Sequence, residues 1–246
     1  MRTPTLRSPI QLTLKTAITA MLRHSYTSAV LLIATLCLTS DTLAQTVTFD
    51  TNFGDIVIEL FAEEAPISVE NFLGYVTRGD YDDTIFHRSV TDFVVQGGGF
   101  QANTSPLTVQ PPIENEFGRS NLRGTIAFAR VGRQVDSATS QFFFNLSDDN
   151  SFLDTVDEGF TVFGEVIQGL DVVDTINDLQ IVNASVAIDS AFGELPVRDT
   201  FSDNILDAED FVILNTATVT TTAVPEPSTL ALLSCCSIIA LTRRRR

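Results

Sequence analysis

One histidine, one arginine and one glutamine stand among aromatic and β-branched residues between Phe86 and Phe100, in the run Phe-His-Arg-Ser-Val-Thr-Asp-Phe-Val-Val-Gln-Gly-Gly-Gly-Phe. The glycines that close the run permit backbone angles and close approaches denied to other residues, so a groove can be built around Arg88 and Gln96. A guanidinium stays charged throughout the physiological pH range and presents its donors in a fixed fork. His87 reads as a structural histidine rather than a base. Composition removes most other chemistry. Cys37, Cys235 and Cys236 lie in apolar terminal segments and His24 precedes the body, which therefore has no cysteine nucleophile, no disulfide and no thiolate or multi-histidine metal site. Gly97 to Gly99 lack the lysine and strand-to-helix setting of a phosphate loop, and Asp148-Asp149-Asn150 lacks the spacing and glycine of a calcium loop. What is left is hydrogen bonding and electrostatics in an apolar niche.

Short strands must position these residues. From Gln45 the hydrophobic period is two: Val47 and Phe49 alternate with Thr46, Thr48 and Asp50, Asn52-Phe53-Gly54 supplies a turn, and Ile56, Ile58 and Leu60 continue the alternation. Ala65-Pro66 opens a helix in which Val69, Phe72, Leu73 and Val76 share a face, and Gly79 stops it. Residues 101–123 carry Pro106, Pro111 and Pro112 and read as loop. Further strands are predicted within Gly124–Arg130, Ser140–Leu146 and Phe160–Ile167, and a second helix over Gly169–Leu179, with Leu170, Val173 and Ile176 on one side. Many short strands with two helices argue for a closed barrel whose ends the helices plug.

The arginine run resembles the signature of cyclophilin-type peptidyl-prolyl cis-trans isomerases, and Ser140-Gln141-Phe142-Phe143 is similar to their second signature. Ala65 to Phe72 resembles their first helix, and Ala191 to Val197 the loop that bacterial members carry before the last strand, which the resemblance puts at Asp210 to Leu214, so the resemblance spans roughly Thr46 to Val219. It implies a mainly β fold, a closed eight-stranded antiparallel barrel capped by two α-helices. It also implies catalysis by Arg88 with Gln96 beside it, and a substrate site of Phe93, Val94, Ala129, Arg130, Phe143, Phe152, Leu153 and Phe160, with no cofactor and no metal. The chemistry is compatible with the residues. Rotation about a peptide bond meets a barrier of about 18–20 kcal/mol because the nitrogen lone pair is delocalised, and an always-charged donor can favour a twisted amide with that pair localised. An acceleration of about 10⁵ needs roughly 7 kcal/mol of differential stabilisation, within reach of preorganised donors. Two departures from the animal pattern are Val94 for methionine and Phe152 for the tryptophan of cyclosporin-sensitive members, and Phe160 stands where other members place histidine or tyrosine. An alternative is a catalytically idle barrel of this family, binding peptides or serving an extracellular matrix.

The termini carry a different message. In residues 1–44, Arg2, Arg7, Lys15 and Arg23 precede the apolar run Ala29 to Leu38, and Ala44 offers a small residue for cleavage before Gln45, the pattern of a secretory leader. Met21 to Ala44 alone has the proportions of such a peptide, so Met21 is a candidate start. The isomerase domain is assigned to 45–219. Residues 220–246 take in the end of the threonine run Thr216 to Thr222, read as a spacer, then Val224-Pro225-Glu226-Pro227-Ser228, an apolar segment and Arg243 to Arg246. That order resembles a PEP-CTERM sorting signal, implying an exosortase-like peptidase as a partner and export to the periplasm, cell surface or extracellular matrix. Between Gln45 and Ala223, 29 acidic residues face 7 arginines, a net of −22. Such a body repels nucleic acid. The expected partners are proline-containing peptides and unfolded proteins, the membrane is met only through the terminal signals, and a monomer is expected.

Overall fold

The computed structural model of the protein describes residues 43–198 and 206–223. The chain begins with an antiparallel hairpin of β1 (Leu43–Thr51) and β2 (Gly54–Leu60), in which Val47 faces Ile58 and Phe49 faces Ile56. These four side chains are wholly buried, as the period of two requires when one face of a sheet packs on a core. In the turn, the Asn52 side chain donates to the Phe211 carbonyl and accepts from the Ile213 N–H, extending the sheet's hydrogen bonding through an amide that is not backbone. Helix α1 (Pro66–Arg78) starts on a proline whose missing N–H has no partner to lose there, and ends where Gly79 turns left-handed at φ 71°.

The other strands are β3 (Thr84–Ile85), β4 (Arg88–Val90), β5 (Val94–Gly97), β6 (Thr125–Phe128), β7 (Phe142–Asn145), β8 (Val162–Gln168), β9 (Gln180–Val182), β10 (Leu195–Val197) and β11 (Ile213–Ala223), with helix α2 (Leu170–Asn177) after β8. Nine of these strands form one curled antiparallel sheet in the order β3-β11-β1-β2-β8-β6-β7-β5-β4. Its two edges, β3 and β4, are pieces of a single segment. The Phe86 N–H donates to Val212 beside β11, and the next N–H, of His87, donates to Gln96 on β5. Counted as one strand, that segment gives the expected eight, and it closes the barrel by crossing a seam that leaves the sheet with an open edge.

The last strand departs from the sequence reading. It begins at Ile213 rather than Asp210, and the threonines taken for a spacer lie in β11, paired with β1 from Thr216 opposite Asp50 to Ala223 opposite Leu43. Threonine is β-branched and suits a pleated sheet. Its alternation shows only against a partner: Ala217 is buried while Thr218 and Thr220 are exposed. A second small sheet was also not foreseen. There β9 pairs with β10, and Phe192, just before β10, is fully buried with its ring 4.7 Å from that of Phe100.

Inside the barrel the core is aromatic. Phe72 of α1 reaches rings of the barrel wall, 4.9 Å from Phe163 and 5.9 Å from Phe49, while Val173 and Ile176 of α2 are wholly buried. Burial of one such side chain stabilises by about 1.5–3 kcal/mol. Strand β7 shows how interior and exterior are divided. Phe142 and Phe144 point inward to the main core, whereas Phe143 points outward into a separate cluster with Phe61, Val94, Ala127, Leu153 and Val162.

Candidate active site

The outward cluster is half of a pocket, and strand register supplies the other half. Across the sheet, Arg88 on β4 stands opposite Gln96 on β5, Gln96 opposite Phe143 on β7, and Phe143 opposite Ala127 on β6. One row therefore presents a cation, a carboxamide and a ring on the same face. The hairpin loop between β4 and β5 contributes Phe93. That loop is held by Asn150, whose buried side chain donates to the Phe93 carbonyl at 2.8 Å and to Asn145 at 2.7 Å.

Together Arg88, Phe93, Val94, Gln96, Ala129, Arg130, Phe143, Leu153 and Phe160 line a cavity of about 190 Å³. Every residue proposed from the sequence is there except Phe152. In the 3-10 stretch Asp148–Asp154, Leu153 turns inward and Phe152 outward, leaving Phe152 53% exposed with its ring stacked on Phe93 at 5.9 Å. It braces the outer wall and does not line the cavity.

The polar groups are tied to one another. Nη1 of Arg88 donates to Oε1 of Gln96 at 3.4 Å, and Nε2 of Gln96 donates to Oε1 of Gln141 at 2.8 Å. Gln141 packs where a side chain on Gly99 would stand, its atoms 2.9 Å from the position of a Cβ. Gly98 has φ 74° and would place a Cβ 2.7 Å from the Ser140 carbonyl, so the central glycine of the triplet is required by both conformation and space. Nε of Arg88 donates to Oε2 of Glu194 at 2.7 Å. Sequence reading passed over Gln141 and Glu194. The first sits inside the second signature, where only Phe143 was singled out; the second sits inside the run Ala191 to Val197 that resembles a bacterial loop, 106 residues from its partner, and nothing in that run pointed to Arg88.

Arg130 serves differently from Arg88. Its Nη1 and Nη2 donate to the carbonyls of Val135 and Asp157, each at 3.1 Å, and its guanidinium lies 4.2 Å from the centre of the Phe160 ring. Burial lowers its pKa against the opposing pull of Asp157, Asp136 and Glu158. The group is thus spent on building the wall. Its main chain lies just past the β6–β7 ladder, after Ala129 donates to the Gln141 carbonyl at 2.8 Å.

His87 points the other way, into the cluster of Phe100 and Phe192, with ring centroids 5.0 and 6.2 Å away. It is 1% exposed, its Nδ1 has no hydrogen-bond partner, and burial, followed by the Arg88 charge, lowers its pKa from 6.5 to about 4. A neutral, enclosed imidazole of this kind is a structural group.

Comparison with known proteins decides what such a pocket belongs to. The family model described as cyclophilin type peptidyl-prolyl cis-trans isomerase/CLD matches residues 46–191. The chain belongs to the cyclophilin family of peptidyl-prolyl cis-trans isomerases. A peptidyl-prolyl cis-trans isomerase of Acinetobacter baylyi is 49% identical to it over 146 residues, covering 57% of this chain and 77% of the relative. Isomerase B of Escherichia coli is 48% identical over 137 residues, 53% of this chain and 82% of the relative. In fold, this cyclophilin is similar to a cyclophilin type isomerase of Cryptosporidium parvum, with a TM-score of 0.52 at 22% identity over 72% of this chain and 99% of that one. Its activity is isomerisation of peptidyl-prolyl bonds, and proline-containing peptides are the substrates.

Proposed function

We propose that this isomerase acts outside the cytoplasmic membrane, as a monomer, on X-Pro bonds of exported proteins that are still folding, with Arg88 as the catalytic donor. The proline ring enters the cavity between Phe93, Val94, Phe143, Leu153 and Phe160, and the peptide main chain runs along Ala129 and Arg130. As the amide twists, its nitrogen becomes pyramidal and its lone pair becomes an acceptor for an Nη–H of Arg88. Gln96 holds the guanidinium or the substrate backbone. No proton changes hands, so His87 has no part in the step.

The observation that carries this assignment is Arg88 on the wall of a 190 Å³ cavity lined mostly by apolar side chains, with Gln96 within hydrogen-bond reach. Its test is Arg88→Ala in a protease-coupled assay on a proline peptide. A loss of about 10²–10³ in turnover with an unchanged circular dichroism spectrum is expected, the scale on which a preorganised donor acts; undiminished activity refutes the role.

Export is supported by the basic-then-apolar leader of residues 1–44 and by the Pro-Glu-Pro, apolar and Arg243–Arg246 sequence of the tail, which suits an exosortase-like peptidase. Apart from Leu43 and Ala44 at the start of β1, both lie outside the described residues. Mass spectrometry of the mature protein is expected to find Gln45 as the first residue and the arginine cluster removed. Intact termini refute the export reading.

A further inference from the structure

Arg88 is gripped on two flanks, and one of them lies beyond residue 191, where the family match ends. There, Oε2 of Glu194 accepts from Nε of Arg88 at 2.7 Å, while the Glu194 backbone carbonyl accepts from the N–H of Ser89, also at 2.7 Å. The contact is anchored from behind. Phe192, two residues earlier, is wholly buried against Phe100 and His87, the residue before Arg88. The residues around the start of β4 and the segment before β10 thus meet twice, once inside as His87 on Phe192 and once outside as Arg88 on Glu194.

Stability does not account for the pair. Its side chains are 33% and 45% exposed, and an ion pair so placed contributes only about 0–1 kcal/mol. Orientation does. A guanidinium has five N–H donors in one plane; here Nε is taken by Glu194 and one Nη1 hydrogen by Gln96, which fixes the roll of that plane and leaves the other Nη hydrogens for the cavity that Arg88 lines. We infer that Glu194 is a positioning residue of this isomerase, its carboxylate fixing the Arg88 guanidinium so that the free Nη donors meet the prolyl nitrogen. The inference rests on the catalytic assignment of Arg88.

The test compares Glu194→Ala, Glu194→Gln, Arg88→Ala and the Arg88→Ala/Glu194→Ala double variant, with kcat and KM for one proline tetrapeptide measured by NMR exchange and Tm by calorimetry. Glu194→Ala is expected to lower kcat about ten- to hundredfold, the range for a misoriented catalytic group, with KM and Tm unchanged. Glu194→Gln, whose amide oxygen still accepts from Nε, is expected to recover most of that loss. In the Arg88→Ala background, the change at position 194 should have no further effect. The inference is overturned by a kcat in Glu194→Ala equal to or above the unmodified enzyme, by a loss that falls in KM, by equal losses in Ala and Gln, or by a further loss in the double variant. Should Arg88→Ala keep its activity, the catalytic assignment itself fails; an inactive Arg88→Ala beside a fully active Glu194→Ala sinks the positioning role alone.

Discussion

Replacing His87 with glutamine should flatten the acid limb of the stability curve. His87 is neutral in the fold, where burial and the adjacent Arg88 charge lower its pKa to about 4 from 6.5. The unfolded chain therefore binds a proton that the folded chain refuses. The sign follows: the stability this site confers is complete above pH 6.5, falls as the pH drops through the interval, and is gone near pH 4, below which both states are protonated. At about 1.4 kcal/mol per pKa unit, the difference amounts to about 3 kcal/mol. For a domain of this size, 1 kcal/mol moves Tm by about 2–4 °C, so His87 alone should account for about 6–12 °C of the drop in Tm between pH 7 and pH 4. The assay is calorimetry across that range on the unmodified protein and on His87→Gln. The variant loses ring contacts with Phe100 and Phe192 and starts lower, so the quantity to compare is the slope rather than the starting Tm. Asp154, whose pKa is lowered by hydrogen bonds from Ser120 and Asn121 that outweigh its desolvation, adds acid sensitivity of the same sign to both proteins and cancels. Parallel curves would refute a buried neutral imidazole.

Three further outcomes are expected. Gly98→Ala should lose at least about 2 kcal/mol in chemical denaturation, because it combines left-handed strain with a Cβ 2.7 Å from a backbone carbonyl; unchanged stability would show that the glycine is not required. Phe143→Ala should reduce stability by about 3 kcal/mol and raise KM for proline peptides, since the same ring is buried and walls the cavity; an unaltered KM under conditions where the variant is folded would argue against a proline seat there. Cyclosporin should bind weakly, because Phe152 has no indole N–H and stacks on Phe93 outside the cavity; nanomolar inhibition in the isomerase assay would contradict this.

What the sequence determined by itself was whatever depends on near neighbours and on alternation. The β1–β2 hairpin and both helices follow from local spacing, because strand alternation and helical periodicity are set by near neighbours, whereas Gln96 beside Arg88 was implied by the family resemblance and the β4–β5 register places it there. The pocket residues were legible through their resemblance to a family whose motifs span several strands, and the cavity gathers all of them but Phe152. The tertiary structure decided what depends on distant partners. The run Phe142–Phe144 is equally apolar throughout, and only the curl of the sheet sends Phe143 to the pocket and its neighbours to the core. The threonine run could be recognised as strand only beside β1, for its alternation is weak without a partner. Glu194 reaches Arg88 because Phe192 is buried against His87 and Phe100, a consequence of packing between segments about 106 residues apart that no local pattern encodes.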